Sequence, residues 1–99
     1  MKAPRLLPRP SEENLISEGC YISELSNSDA DPDLSIAQAR VPPGVTTAWH
    51  SLAATSERYL ILEGEGHVEV EGLQPATVRR GDVILIPAEC RQRITNNSD

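Results

Sequence analysis

Phenylalanine is absent from this chain, which has one tryptophan and two tyrosines, so aromatic side chains make up only 3% of it. A core must then come from Val, Ile, Leu and Ala, a mixture rich in β-branched residues that suits strands. Cysteine is scarce too: Cys20 and Cys90 stand alone, with neither CxxC spacing nor the density of a secreted disulfide framework. They are expected to be reduced thiols. Long apolar runs are missing. The first ten residues, MKAPRLLPRP, offer Leu6 and Leu7 as their one apolar pair, far short of a signal-peptide core or a membrane span. Bases are outnumbered, nine against 15 acids, for a formal net charge of −6, and no basic stripe offsets the imbalance. Such a field repels phosphate backbones and anionic lipid, so neither nucleic acid nor a membrane is an expected partner. The chain reads as soluble and cytoplasmic.

What is present points to one all-β domain. Ninety-nine residues suffice for one core, since a chain of this size buries only roughly 60 to 70% of its unfolded surface. Three prolines in the first ten residues mark an N-terminal arm, residues 1–12, ahead of a domain over 13–99. Short strand-like runs follow: Ile16 and Tyr21 to Leu25, LSIAQARV at 34–41, RYLILE at 58–63, HVEVE at 67–71, ATVRR, GDVILIP at 81–87 and RQRIT at 91–95. Strands at this spacing, with turn residues between and no amphipathic helix, indicate a sandwich or barrel. DVILI is apolar at successive positions and is expected to be a central strand covered on both faces. HVEVE alternates, which turns Val68 and Val70 inward. SNSDADPD, at 26–33, reads as a solvated loop; Leu34 and Arg40 stand where a calcium loop needs its Gly and its bidentate Glu.

One constellation carries chemistry. Gly44 is followed after five residues by His50, after one more by Leu52, after four by Glu57 and after six by Gly64; downstream come Gly81, Pro87, Gln92 and Asn96. This paired pattern, spanning 34–96, resembles the two motifs of the cupin family, in which a glycine, a His-x-His pair, a Glu and a closing glycine are followed by a second motif with a histidine where Gln92 stands. The resemblance implies a small single-domain cupin-type β-barrel, a double-stranded β-helix or jelly roll, here stopping short of the family's last strand. It also implies a homodimer built by sheet extension, for which Leu60 and Leu62 are candidate packing residues.

The resemblance further implies metal ligands at His50, Glu57 and Gln92. Elementary physics agrees with part of this. In an extended strand Glu57, Tyr59 and Ile61 share one face, and an unpaired carboxylate in an apolar interior costs several kcal/mol, which a cation offsets. Leu52 departs from the family pattern and ligates nothing, and Gln92 offers a neutral oxygen in place of an imidazole. The remaining nitrogen and two oxygens suit a loosely held divalent ion, Mn, Ni, Zn or Fe, better than the two-histidine site of an Fe(II) oxygenase. The expected function is a metal-binding cupin acting on a small oxygenated molecule, a sugar, sugar phosphate or keto acid, in isomerase, cyclase or lyase chemistry. Glu57 would serve as catalytic base where the ion does not hold it. Three alternatives stay open: a non-catalytic ligand-binding or sensing module, a dioxygenase, and a metal-free site in which His50 and Glu57 pair with each other. His67 reads as a surface residue and Cys90 as a loop thiol. Arg58, Arg91 and Arg93 are either attractors for an anionic substrate or surface charges.

Overall fold

A computed structural model of the chain describes residues 1–98; Asp99, the last residue of the expected domain, lies outside them. Among the described residues there is no helix, and the strands in chain order are β1 (Asn14–Leu15), β2 (Tyr21–Ser28), β3 (Asp31–Arg40), β4 (Glu57–Leu60), β5 (Glu65–Val70), β6 (Ala76–Arg79), β7 (Val83–Ile86) and β8 (Gln92–Asn96). The chain divides into two compact units, Met1–Arg40 and Val41–Asp99.

The first unit is an antiparallel sheet ordered β1-β2-β3. Here the polar stretch at 26–33 departs from expectation. β2 continues through Ser28 and β3 begins at Asp31, so only Asp29 and Ala30 remain as a turn, with register shifts after Glu24 and Ser26. The physical reason is exposure. From Asn27 to Ala30, and along most of β3, the side chains face solvent, so polarity there marks a solvated hairpin. The sheet is pinned to the residues before it by Arg40, which holds Glu13 with contacts of 2.7 and 3.1 Å and lies 4.3 Å over the Tyr21 ring.

In the second unit β4 pairs with β7, and a second sheet runs β6-β5-β8. The segment from Gly44 to His50 lies along β8, through bridges at Thr46–Thr95 and His50–Gln92. Between the two sheets sits the core: Val68 and Val70 from β5, Val78 from β6, Ile84 and Ile86 from β7, with Tyr59, Ile61, Cys90 and Ile94 packed against it. HVEVE behaves as its alternation requires, Val68 and Val70 buried and His67 and Glu69 half-buried. DVILI does not. Ile84 and Ile86 are 5% and 2% exposed, but Val83 and Leu85 are 57% and 68% exposed, so the strand is covered on one face. A short apolar run carries no signal that separates one-sided from two-sided burial.

Candidate functional site

The site grows from strand alternation. On β4, Glu57 and Tyr59 are half-buried while Arg58 and Leu60 face out. From β8, Gln92 enters the same interior with 0% of its surface exposed. His50 is brought to it by the backbone: His50 N–H donates to Gln92 O at 3.1 Å and Gln92 N–H to His50 O at 2.8 Å. Residues paired in this way project side chains to the same side of the ladder.

The hydrogen bonds fix the chemical form of each group. The Gln92 amide Nε2 donates to Glu57 Oε1, and the Tyr59 hydroxyl donates to Gln92 Oε1. His50 Nδ1 lies 2.9 Å from the Ala48 carbonyl oxygen. A carbonyl can only accept, so Nδ1 carries a proton, and in the neutral ring that tautomer has its lone pair on Nε2. Three electron-pair positions remain to offer a cation: His50 Nε2, Glu57 Oε2 and the second lone pair of Gln92 Oε1. Glu57 also lines a shallow open pocket of about 180 Å³, with Ser56, Arg58 and Leu85 among its walls.

The loop between His50 and Glu57 is tied from below by Glu89. Its backbone N–H donates to Leu52 O at 2.8 Å, and its Oε1 accepts from Ala54 N–H at 2.6 Å. Leu52 itself is 38% exposed. Asn96 is structural: Nδ2 donates to Val41 O at 2.6 Å and Oδ1 accepts from Ser98 N–H at 2.8 Å.

Gln92 therefore opposes His50 across a backbone pair and bonds Glu57 through its side chain. Tyr59 bonds the other end of that amide, and sequence reasoning placed this tyrosine on the right face without giving its hydroxyl a role. A polar tip two positions along a strand from an inward Glu was the available signal. Arg91 and Arg93 flank Gln92 in the chain and so face the other way. Arg93 pairs with Glu69 at 3.0 Å and stacks on Trp49 at 4.4 Å, while Arg91 lies 3.6 Å from Glu71. Theirs is the surface role. The Arg93 hydrogen bonds, joined by its charge and that of His67, hold the Glu69 carboxyl below its ordinary value against the opposing pull of desolvation. Cys90 packs half-buried at the edge of the core.

Two facing antiparallel sheets with a histidine, a glutamate and an amide gathered on the inner side define a small all-β fold of the cupin type. The chain belongs to the cupin domain family, whose model matches residues 37–99. The protein MJ1618 of Methanocaldococcus jannaschii is 37% identical over 84 residues, 83% of this chain; the chain spans 66% of that relative's own length. Among solved structures, a predicted oxalate decarboxylase from Thermotoga maritima aligns with a TM-score of 0.83 at 21% identity, covering 96% of this chain and 90% of the other. KdgF from a Halomonas species aligns at 0.76 and 16%, covering 88% and 77%. The Drosophila melanogaster CENP-C structure bound to CAL1 aligns at 0.72 and 19%, covering 89% and 68%. At these identities the likeness shows the fold alone. No helix among the described residues is long and apolar enough to cross a membrane.

A cupin implies a metal, and the donor set can be tested against one. Among the described residues no group of three or more His, Cys, Asp and Glu side chains is arranged to hold an ion. What this interior offers is one imidazole nitrogen, one carboxylate oxygen and one amide oxygen. That set fits a divalent ion with several positions left to water or ligand, and does not fit a closed structural site.

Proposed function

We propose that the chain is a metal-binding cupin that acts on or binds a small oxygenated molecule, a sugar, sugar phosphate or keto acid, in chemistry of the isomerase, cyclase or lyase type. The observation that carries this reading is the bond between His50 Nδ1 and the Ala48 carbonyl, which makes Nε2 the electron-pair donor of the neutral ring, on a residue whose backbone pairs with Gln92. Orienting a ring through its other nitrogen is the usual device by which a protein presents a histidine to a metal. His50 Nε2 and Glu57 would hold Mn, Ni, Zn or Fe, with Gln92 Oε1 as a weaker third donor. A divalent ion in that place supplies Lewis acidity and a template for a substrate's oxygens. Glu57 also has a role as general base: its carboxylate is oriented by Gln92 and is placed to take a proton where the ion does not occupy it. A cytoplasmic location belongs to the same reading, consistent with two free cysteines. So does a homodimer, for which Leu60, Leu62, Val83 and Leu85, all more than half exposed, offer apolar surface to a second copy.

The test is the metal content of protein purified without chelator, beside His50→Ala and Glu57→Ala. Near-stoichiometric metal in the parent and loss in both variants is the expected result. A parent that contains no metal and gains none on titration with Mn, Ni, Zn or Fe overturns the reading.

A specific observation favours one alternative, a non-catalytic module for a small ligand. The amide of Gln92 is satisfied at both ends by Tyr59 and Glu57 without any ion, and no buried side-chain polar atom among the described residues lacks a partner. Binding of sugars or keto acids by the metal-free protein, unaffected by His50→Ala, would establish that module instead.

A further inference from the structure

Tyr59 lies two residues along β4 from Glu57, so both side chains leave the strand on one face. Between them stands Gln92, whose amide takes the Tyr59 hydroxyl on its oxygen and gives an N–H to Glu57 Oε1. The two ends of a glutamine amide match in shape and oppose in hydrogen-bonding sense. A carboxylate only accepts, so the NH2 end must meet Glu57; a hydroxyl can donate, so the oxygen end meets Tyr59. Turning the amide over would set its oxygen against a carboxylate oxygen. With 0% of Gln92 exposed, bulk water does not offer either end a substitute partner. The arrangement has one satisfied orientation, and Tyr59 is the group that closes it.

We infer that Tyr59 is a positioning residue of the candidate metal site, acting through Gln92 to fix which oxygen of Glu57 is presented to an ion. The inference rests on the metal-binding reading and assigns a residue that reading does not use. Tyr59 touches no ion; it holds Gln92, and Gln92 holds Glu57 Oε1, which leaves Oε2 as the presented oxygen. Outer hydrogen bonds of this kind set ligand orientation at metal sites, and losing one costs affinity although no ligand is removed.

The experiment titrates Mn(II) into the parent, Tyr59→Phe, Gln92→Leu and the double variant, with the electron paramagnetic resonance spectrum of bound Mn(II) recorded for each. Tyr59→Phe is expected to weaken Mn(II) binding about tenfold, the lower end of the range for a lost outer-shell partner, and to alter the spectrum. In the Gln92→Leu background it is expected to cost less than in the parent, because its path to Glu57 through Gln92 is gone. A Tyr59→Phe variant that only melts earlier, with affinity and spectrum unchanged, overturns the inference, as do additive losses in the double variant. Failure of the metal reading is distinguishable: the parent then takes up no Mn(II). In that case the side-chain NH2 signals of Gln92 in 15N spectra decide. They are expected to shift and to exchange faster in Tyr59→Phe, and unchanged signals overturn the inference. Should Tyr59→Phe not fold, 3-fluorotyrosine replaces tyrosine in the parent; its more acidic hydroxyl must move the same signals, and their constancy overturns the inference equally.

Discussion

His50 and Gln92 face each other as a hydrogen-bonded pair, with N–H to O distances of 3.1 and 2.8 Å in the two directions. That bridge joins the two motifs. His50 belongs to a segment with no strand of its own, held along β8 by backbone bonds that also involve Gly44, Val45 and Thr47. Gln92 in turn reaches Glu57 on the opposite sheet, so one residue links both walls of the interior. A residue with that many partners has measurable consequences when removed.

Gln92→Leu keeps roughly the same volume and removes both hydrogen bonds. Glu57 loses the amide N–H that meets it, and the Tyr59 hydroxyl loses its Gln92 contact. A loss of about 1 to 3 kcal/mol in unfolding free energy is expected, the usual size for removing one partner of a partly buried hydrogen bond. Urea denaturation measures it. Adding Glu57→Leu should recover part of the loss, because removing both partners costs less than removing one.

Glu89 holds the loop above the site from an unusual backbone position, with φ of 66° facing Ala54 at 53°. Glu89→Ala and Glu89→Gly both discard the carboxylate that accepts the Ala54 N–H at 2.6 Å. Only the first keeps a Cβ in the left-handed region, where an L-residue is strained by about 1 to 2 kcal/mol. The glycine variant is therefore expected to be the more stable of the two by about 1 kcal/mol, despite the looser unfolded chain that glycine brings. Paired thermal melts give the order directly.

The Glu69–Arg93 pair predicts a pH dependence. The guanidinium holds the Glu69 carboxyl below its ordinary value of 4.5 in the folded protein. As pH falls, the unfolded chain takes up this proton first, so the pair stabilises the fold above about 4.5 and the contribution disappears as pH drops through the lower folded value. Glu69→Gln is expected to flatten the stability profile in that window and to leave its slope unchanged well above it. Urea midpoints measured from about pH 6 to pH 3 test this.

Much of the second unit was legible in the sequence, and the reason is periodicity. The alternation of HVEVE marked Val68 and Val70 as core, and the spacing from Gly44 to Asn96 picked out a glutamate and a glutamine whose side chains bond each other and a histidine whose backbone pairs with that glutamine. Where periodicity was silent, reading failed. DVILI carries an apolar residue at every position after its Asp, so nothing in it showed that Leu85 would face solvent. SNSDADPD carries almost none, so nothing showed that its backbone would stay paired as a hairpin. The role of Tyr59 was hidden for a different reason. A phenol reads as one more apolar body in the core until the partner of its hydroxyl is known, and that partner lies on another strand.

The spacing motif itself can be taken apart with its glycines. Gly44 and Gly64 both have positive φ, +78° and +82°, so any L-residue is strained at either position. Their surroundings differ. A Cβ at Gly44 meets nothing within 4 Å, whereas one at Gly64 would lie 2.8 Å from Ser98 Oγ. That hydroxyl accepts from Glu65 N–H at 2.6 Å and donates to Glu65 O at 3.3 Å, closing the end of β5. Gly44→Ala should cost about 1 kcal/mol from backbone strain alone. Gly64→Ala adds the displaced serine and its bonds, for about 2 to 3 kcal/mol in total. Ser98→Ala should lower stability on its own yet soften the effect of Gly64→Ala, a coupling that a double-mutant cycle reads. Equal costs at the two glycines, or strictly additive losses in the cycle, would mean that the closing glycine is kept for its backbone angle and not for the contact with Ser98.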